Sequence, residues 1–337
     1  MNPVDLFARA PVFHLAGQGP GGLVLRTLHG VVLDEHLVFH GRRTGAKASL
    51  VGSEVVARCD EVVAVLPSWA FHPQRACPAT TWYRTAEARG VLRELEGPAR
   101  ARALQALMEK LQPEGRHLPV VEDAPLYSRV LEELLIAALP LDRVTGRDKR
   151  GQGKPTRTVE AALCALWERG APGDLAAWRS IHAASPEAVP GAFRHEDVVL
   201  RPGGPDDAPA AAAAVADAYW NTRWSRDELM AAHGSSQAWV VGLAAGDLVA
   251  TARAISDRSK HAWVYDVWVH PARRGQGLGR ALLLRLLDHP AVRSAGLVHL
   301  VTRDAGPFYA RLGFERVLAR GEGEGYRETW TRTRICS

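Results

Sequence analysis

Residues 273–282, Arg-Arg-Gly-Gln-Gly-Leu-Gly-Arg-Ala-Leu, set glycine at every second position between arginines and an apolar run. A strand-like stretch, His261–Pro271, precedes them. Leu278, Leu282 and Leu286 then recur on one side of a helix that runs to about Asp288. A helix that opens inside a glycine turn presents N–H groups with no intrahelical partner, at the positive end of its dipole. Glycine lets that backbone approach an anion, so strand, glycine turn and helix start form a site for a pyrophosphate. The order is not GxGxxG with an acidic residue at ribose distance, nor a Walker loop followed by Lys-Ser/Thr. The usual dinucleotide and nucleoside-triphosphate loops therefore fit poorly.

A second group of residues could hold a phosphate monoester. Phe39-His40-Gly41 ends a strand, Thr44-Gly45 turns, and Lys47 follows; Arg26 lies on an earlier strand. Arginine and lysine around a glycine turn offer charge-assisted donors to a phosphate.

The elements that must position these residues read differently in the two halves. Before residue 145 the chain reads as short strands, with a hairpin around Asp34-Glu35. Amphipathic spacing predicts helices over 98–111 and 126–139, the second carried by Val130, Leu131, Leu134, Leu135 and Ala138. A small barrel with covering helices follows. Residues 145–157 and 185–197 have linker composition, and 158–184 between them is helical. From 196 onward strands alternate with helices: an Ala-rich helix near 207–220, a helix from Ser225, strands over 237–244, 247–256 and 261–270, and a terminal hairpin. That half is α+β around a central sheet. No internal repeat is visible.

At 337 residues, about two domains are expected. The 47% hydrophobic and 23% charged composition is globular, and no apolar run approaches the ~18 residues of a membrane span. The first residues lack a basic segment followed by an apolar one, so a signal peptide is not expected and the chain is placed in the cytoplasm. Cys59, Cys77, Cys164 and Cys336 are scattered and pair with no histidine, which argues for free thiols and no metal site. The net charge of +5 suits phosphorylated cofactors as well as nucleic acid. The one basic loop, 145–157, has no interleaved aromatics, so nucleic acid is not expected.

The run Arg274-x-x-Gly277-x-Gly279 resembles the coenzyme A loop of the GNAT superfamily of N-acetyltransferases. "DVWVHPARRGQGLGRALL" and "TRDAGPFYARLGF" extend that resemblance over about residues 196–335. It implies acetyl-CoA as co-substrate and a small-molecule amine as acceptor. The amides of Gly275 through Arg280, including those of Gln276, Gly277 and Gly279, would hold the pyrophosphate beside Arg274. The backbone of Val267 and Val269 would pair with the pantetheine arm. Tyr309 takes the acid position. Asp266 is the candidate base, on the opposite strand face from Val267 and Val269; a structural carboxylate is the alternative. Asp304 is the expected cap of the Tyr309 helix. Tyr219, Trp220 and Trp224 would form an aromatic wall or pack in the core.

The first half resembles the pyridoxamine 5'-phosphate oxidase-like split-barrel flavoproteins, in particular the nitroimidazole-resistance branch. The match rests on "VVLDEHLVFHGRRTGAKASLVGSEVVARC", "ACPATTWYRTAEARGVLREL" and "DRVTGRDKRGQGKP", and covers about residues 10–190. It implies FMN bound in a homodimer. Arg26 and Lys47 would contact the FMN phosphate, Phe39, His40 and Gly41 would lie along the cofactor, and the Arg26-Thr27-Leu28 backbone would line the ring. Gly45-Ala46-Lys47 stands where the oxidases carry Ser-Arg-Lys, so one phosphate donor is missing. Flavin binding is expected, and pyridoxamine oxidation is not. The expected architecture is thus an FMN-binding split barrel over 1–157, a helical extension and linker over 158–195, and an α+β acetyltransferase domain over 196–337. Two functions remain open: an FMN-dependent oxidoreductase fused to the acetyltransferase, or a flavin-binding sensor or dimerisation module without turnover.

Overall fold

The computed structural model describes residues 2–122, 124–321 and 327–334. Contacts divide the chain into two units, Met1–Val65 with Thr81–Arg150 and Leu66–Thr80 with Gly151–Ser337.

The first unit begins with helix α1 (Pro3–Arg9). Strands β1 (Phe13–Gly19), β2 (Gly22–Leu28), β3 (Val31–Leu33), β4 (His36–Arg42), β5 (Glu54–Leu66), β6 (Thr80–Val91) and β7 (Arg93–Glu94) follow. Helices α2 (Pro98–Leu111) and α3 (Ser128–Glu133) then lead to β8 (Leu134–Pro140) and β9 (Val144–Lys149). One sheet has the order β2-β1-β5-β6-β9 and the other β3-β4-β8-β7. Leu15, Phe39, Ala57, Ala86 and Leu139 come from both sheets into one core, giving a mostly-β split barrel. The expected hairpin is β3–β4, and Asp34 and Glu35 both take positive φ (46° and 58°), as a two-residue turn between twisted strands requires.

Two expectations are corrected here. Residues 126–139 are not one helix: only Ser128–Glu133 is helical, and Leu134–Pro140 is a strand paired with β4. The reason is burial on both faces. Leu135, Ala137 and Leu139 enter the inter-sheet core, while Ile136 and Ala138 face Ala103 and Leu104 of α2. Such a strand has no polar alternation and imitates a helix in sequence. The polar run at 145–157 is likewise not all loop, because Val144–Lys149 pairs with β6 as an edge strand. Edge strands carry charge to discourage further pairing.

In the second unit, α4 (Thr156–Arg169) and α5 (Asp174–Ala184) precede β10 (Arg194–His195) and β11 (Val198–Pro202). Then come α6 (Ala208–Val215), α7 (Arg226–Gly234), β12 (Ala238–Ala244), β13 (Asp247–Ser256) and β14 (His261–Val269). Helix α8 (Leu278–Leu287), β15 (Leu297–Thr302), α9 (Gly306–Ala310), β16 (Glu315–Arg320) and β17 (Arg327–Thr333) complete it. The sheet order is β10-β11-β12-β13-β14-β15-β17-β16. Ser225 and Glu228 close a reciprocal capping box that starts α7. The segment 185–197 is packed: Ala188, Val189, Pro190 and Phe193 are buried. Helices α4 and α5 are part of this unit. Trp167 of α4 donates to Asp288 (2.8 Å) at the end of α8, and Arg285 of α8 lies 4.3 Å from the Phe193 ring centroid. No helix among the described residues is long and apolar enough to cross a membrane.

Candidate functional site

The glycine loop lies between β14 and α8. Gly275 (φ 77°) and Gly277 (φ 82°) both adopt the left-handed region, which side chains disfavour. Gly277 is the N-cap of α8 and supplies no side-chain cap. The Ala281 amide is the first to close a turn, onto the Gly277 carbonyl (3.1 Å), so the amides of Leu278, Gly279 and Arg280 precede any intrahelical bond. Struts hold the loop from below. His195 Nε2 donates to the Gln276 carbonyl (2.9 Å), Arg273 pairs with both oxygens of Asp197 (2.8 and 2.7 Å), and Arg274 Nε donates to the Val269 carbonyl (3.0 Å). Gly279 adjoins Val269 and Phe308 closely enough that a Cβ there would touch both, at 3.6 and 3.7 Å. The loop thus meets the strand expected to receive the pantetheine arm and the helix that carries Tyr309.

Strands β14 and β15 pair only over His261–Trp263 with Leu297–His299. Beyond that point this parallel pair opens into a fork. A bulge on β14 helps to open it: register against β13 shifts between Thr251 and Arg253, and Asp266 takes φ 51°.

Asp266 is buried, and both its carboxylate oxygens are engaged. Oδ1 accepts from Trp220 Nε1 (2.9 Å) and Asn221 Nδ2 (3.0 Å), and Oδ2 accepts from Arg253 Nε (2.6 Å). This is a carboxylate that fixes its neighbours. Trp220 meets Tyr219 edge-on (4.8 Å), the Tyr219 hydroxyl accepts the Arg303 amide (3.0 Å), and the Arg303 guanidinium covers the Tyr219 ring (3.7 Å). Tyr309 is buried between Phe308 and Phe314. Burial, then the nearby Tyr219 and Asp304, push its phenol above the usual range, so it stays protonated at neutral pH. Asp304 does not cap α9. Ala305 holds the cap position, its amide donates to Thr302 Oγ1 (3.2 Å), and Asp304 is exposed beside Arg303. Trp224 is exposed.

In the first unit, Arg26, His29, His40 and Lys47 gather around Gly41. Lys47 runs so close over Gly41 that any side chain there would collide with it. Burial and the neighbouring Arg26 depress the Lys47 ammonium. His29 Nε2 and His40 Nε2 share a hydrogen bond (3.2 Å). Burial, then His29 and Lys47, depress His40, and its Nδ1 is buried without a partner. Thr27 bonds His14 (3.1 Å), and Arg26, Thr27 and Leu28 lie on edge strand β2. The Phe39 side chain is not at this surface; it is wholly buried against Phe13 in the core.

Arg253, Asn221, His195 and His29 were not legible as site residues. Each acts through a partner 11 to 81 positions away, and no local pattern marks such a contact.

The comparisons agree with this division. A pyridoxamine 5'-phosphate oxidase family model matches residues 3–148, and an acetyltransferase (GNAT) domain model matches 234–316. The chain joins a pyridoxamine 5'-phosphate oxidase-like domain to a GNAT acetyltransferase domain. Histone acetyltransferase TAP1 of Glycine max is 41% identical over 69 residues, 20% of this chain; the match spans 30% of that relative's length. Among solved structures, the ribosomal-protein-S18-alanine N-acetyltransferase of Escherichia coli is 22% identical (TM-score 0.36), covering 42% of this chain and 96% of that one. The FAD and heme binding protein of Mycobacterium smegmatis is 19% identical (TM-score 0.37), covering 45% and 71%.

Proposed function

We propose that the second unit transfers an acetyl group from acetyl-CoA to a small-molecule amine. The observation that carries this reading is the left-handed glycine loop whose free amides open α8 beside the β14–β15 fork. Those amides, from Gly275 to Arg280, would hold the pyrophosphate. The β14 edge at Val267 would face the pantetheine arm. Tyr309, protonated by virtue of its burial, would donate to the departing thiolate. Asp266 serves better as the anchor of Trp220 and Asn221 than as a base, because taking a proton would break its pair with Arg253. Titration calorimetry with acetyl-CoA tests the reading. Gly277→Glu sets a charge and a strained φ at the loop and should abolish binding; an unaltered affinity in the folded variant would refute it.

For the first unit we infer a flavin site at the Arg26–Lys47 cluster. Two cations close enough to depress one of them, with no carboxylate partner among the described residues, suit a phosphate. The orphaned Nδ1 of His40 suits a further polar ligand atom. Bound FMN would supply electron-transfer chemistry there. Lys47 and Arg26 would hold its phosphate, and the His29–His40 pair would hold a proton beside it. Exposed Leu23 and Leu25 on edge strand β2 support a homodimer through this unit. Light scattering of a flavin-loaded monomer would overturn that arrangement. Turnover of an electron acceptor with a nicotinamide donor would separate an oxidoreductase from a flavin-binding module.

A further inference from the structure

The segment between α6 and α7 is tied to both strands of the fork. Trp220 and Asn221 donate to Asp266 of β14, and the Tyr219 hydroxyl accepts the amide of Arg303, the residue after β15. Tyr219 therefore stands on the β15 side of the opening. Its ring carries two guanidiniums, Arg303 at 3.7 Å and Arg327, the first residue of β17, at 5.2 Å. Tyr309 is close by: the turn in which the Ala305 amide donates to Thr302 Oγ1 joins β15 to α9, and Tyr219 is near enough to push the Tyr309 phenol upward.

The strand register gathers this charge. β15 and β17 pair as far as Thr302 opposite Glu328, so the next position sets Arg303 against Arg327. On the other side of β17, Arg320 of β16 lies directly opposite Arg327. Three arginines thus form one row across the sheet, and like charges directly opposite one another are destabilising. Of the carboxylates around them, Asp266 is taken by Arg253 and Glu328 by Arg316 and Trp330. Exposed Asp304 comes only to 3.7 Å of Arg303, beyond hydrogen-bond reach. An aromatic ring orients a guanidinium through its flat face, and the N–H edge is the part that matches a carboxylate or phosphate. A polycationic acceptor would meet repulsion at the same row.

We propose that Arg303 and Arg327 select the acetyl acceptor, a primary amine that carries a carboxylate or a phosphate. This rests on the reading of the second unit as an acetyltransferase: Tyr309 faces the reacting end of the acceptor, and the arginines beside Tyr219 hold its acidic group.

Acetylation by the full chain tests this with pairs of amines that differ in one charge, straight-chain amino acids against their amides and aminoalkyl phosphates against the amino alcohols. The kcat/KM values are compared per unprotonated amine. The preferred acid should exceed its neutral partner about tenfold or more, the effect of a charge-assisted hydrogen bond, and the arm with the larger ratio tells carboxylate from phosphate. Arg303→Gln with Arg327→Gln should bring that ratio to about one, in a variant shown to be folded by its binding of acetyl-CoA in calorimetry. Should the variant misfold, the wild-type salt response decides, since the ratio must shrink as KCl rises. Equal rates for acids and their neutral partners, a ratio that survives the double substitution or added salt, or binding of acetyl-CoA with no acid acetylated would each overturn the acidic-acceptor assignment and leave the acetyltransferase reading standing. A wild type that does not bind acetyl-CoA would overturn both.

Discussion

Replacing Asp266 by asparagine removes one charge and almost no volume. Asparagine tolerates the left-handed φ of 51° at this position, so the bulge should survive. The amide oxygen can still accept from Trp220 and Asn221, but its NH₂ group then faces Arg253 Nε, donor to donor. The Arg253 and Asp266 side chains are only 12% and 3% exposed, so water cannot replace the missing partner. Removing one member of a buried pair costs about 3–5 kcal/mol, and the two retained bonds place Asp266→Asn near the lower end. At roughly 2–4 °C per kcal/mol for a unit of this size, the second unit's Tm should fall by about 6–12 °C. Intrinsic fluorescence reads this unit selectively, because Trp82 is the only one of the ten tryptophans in the first unit. Adding Arg253→Leu should cost less than the sum of the single changes. A loss below about 1 kcal/mol would refute the buried-pair argument. An Asp266→Asn enzyme that folds but loses the acidic limb of its pH–rate profile would instead restore Asp266 as the base.

Tyr309→Phe should lower kcat about 100-fold with little change in the KM for acetyl-CoA, the signature of a proton donor used only in the transition state. Lys47→Ala should weaken FMN binding roughly tenfold, read as flavin content after purification. His289 is buried against Trp167, and its Nδ1 accepts the Ala291 amide (3.1 Å), so the neutral ring is the folded form. Burial, then Arg258 and Arg293, lower its pKa from 6.5 to about 3. The stability from neutral His289 is therefore complete above pH 6.5 and is lost as the pH falls toward 3. At pH 5 the loss is about 2 kcal/mol, and His289→Asn, which keeps an acceptor, should remove that part of the pH dependence in urea unfolding.

The second half was legible because its elements alternate. Strand 247–256, the helix from Ser225 and the glycine loop announce themselves by local pattern, capping residues and composition. The β3–β4 hairpin was legible from Asp34-Glu35 for the same reason. What escaped were features set by distant partners. Leu134–Pro140 reads as a helix because both its faces are buried, and only the second sheet and α2 reveal why. Phe39 beside His40 looks like part of a binding surface until alternation is anchored to the core by Phe13. Asp266 leaves a base and a structural carboxylate both open in the sequence, because its partner Arg253, across the register from Tyr265, is brought to it only by the sheet.

The division into two units has a consequence for the gene as well as the protein. The backbone passes from one unit to the other three times, at 65–66, 80–81 and 150–151. No single cut separates them. A fragment starting at Gly151 would lack Leu66–Thr80, including the Ser68–Ala70 turn that packs on α4. A fragment ending at Arg150 would carry that excursion without its partner. The two units alternate along the chain, so a break in the reading frame, a protease nick or a recombination event at 150 yields two incomplete pieces where a simple tandem would yield two whole ones.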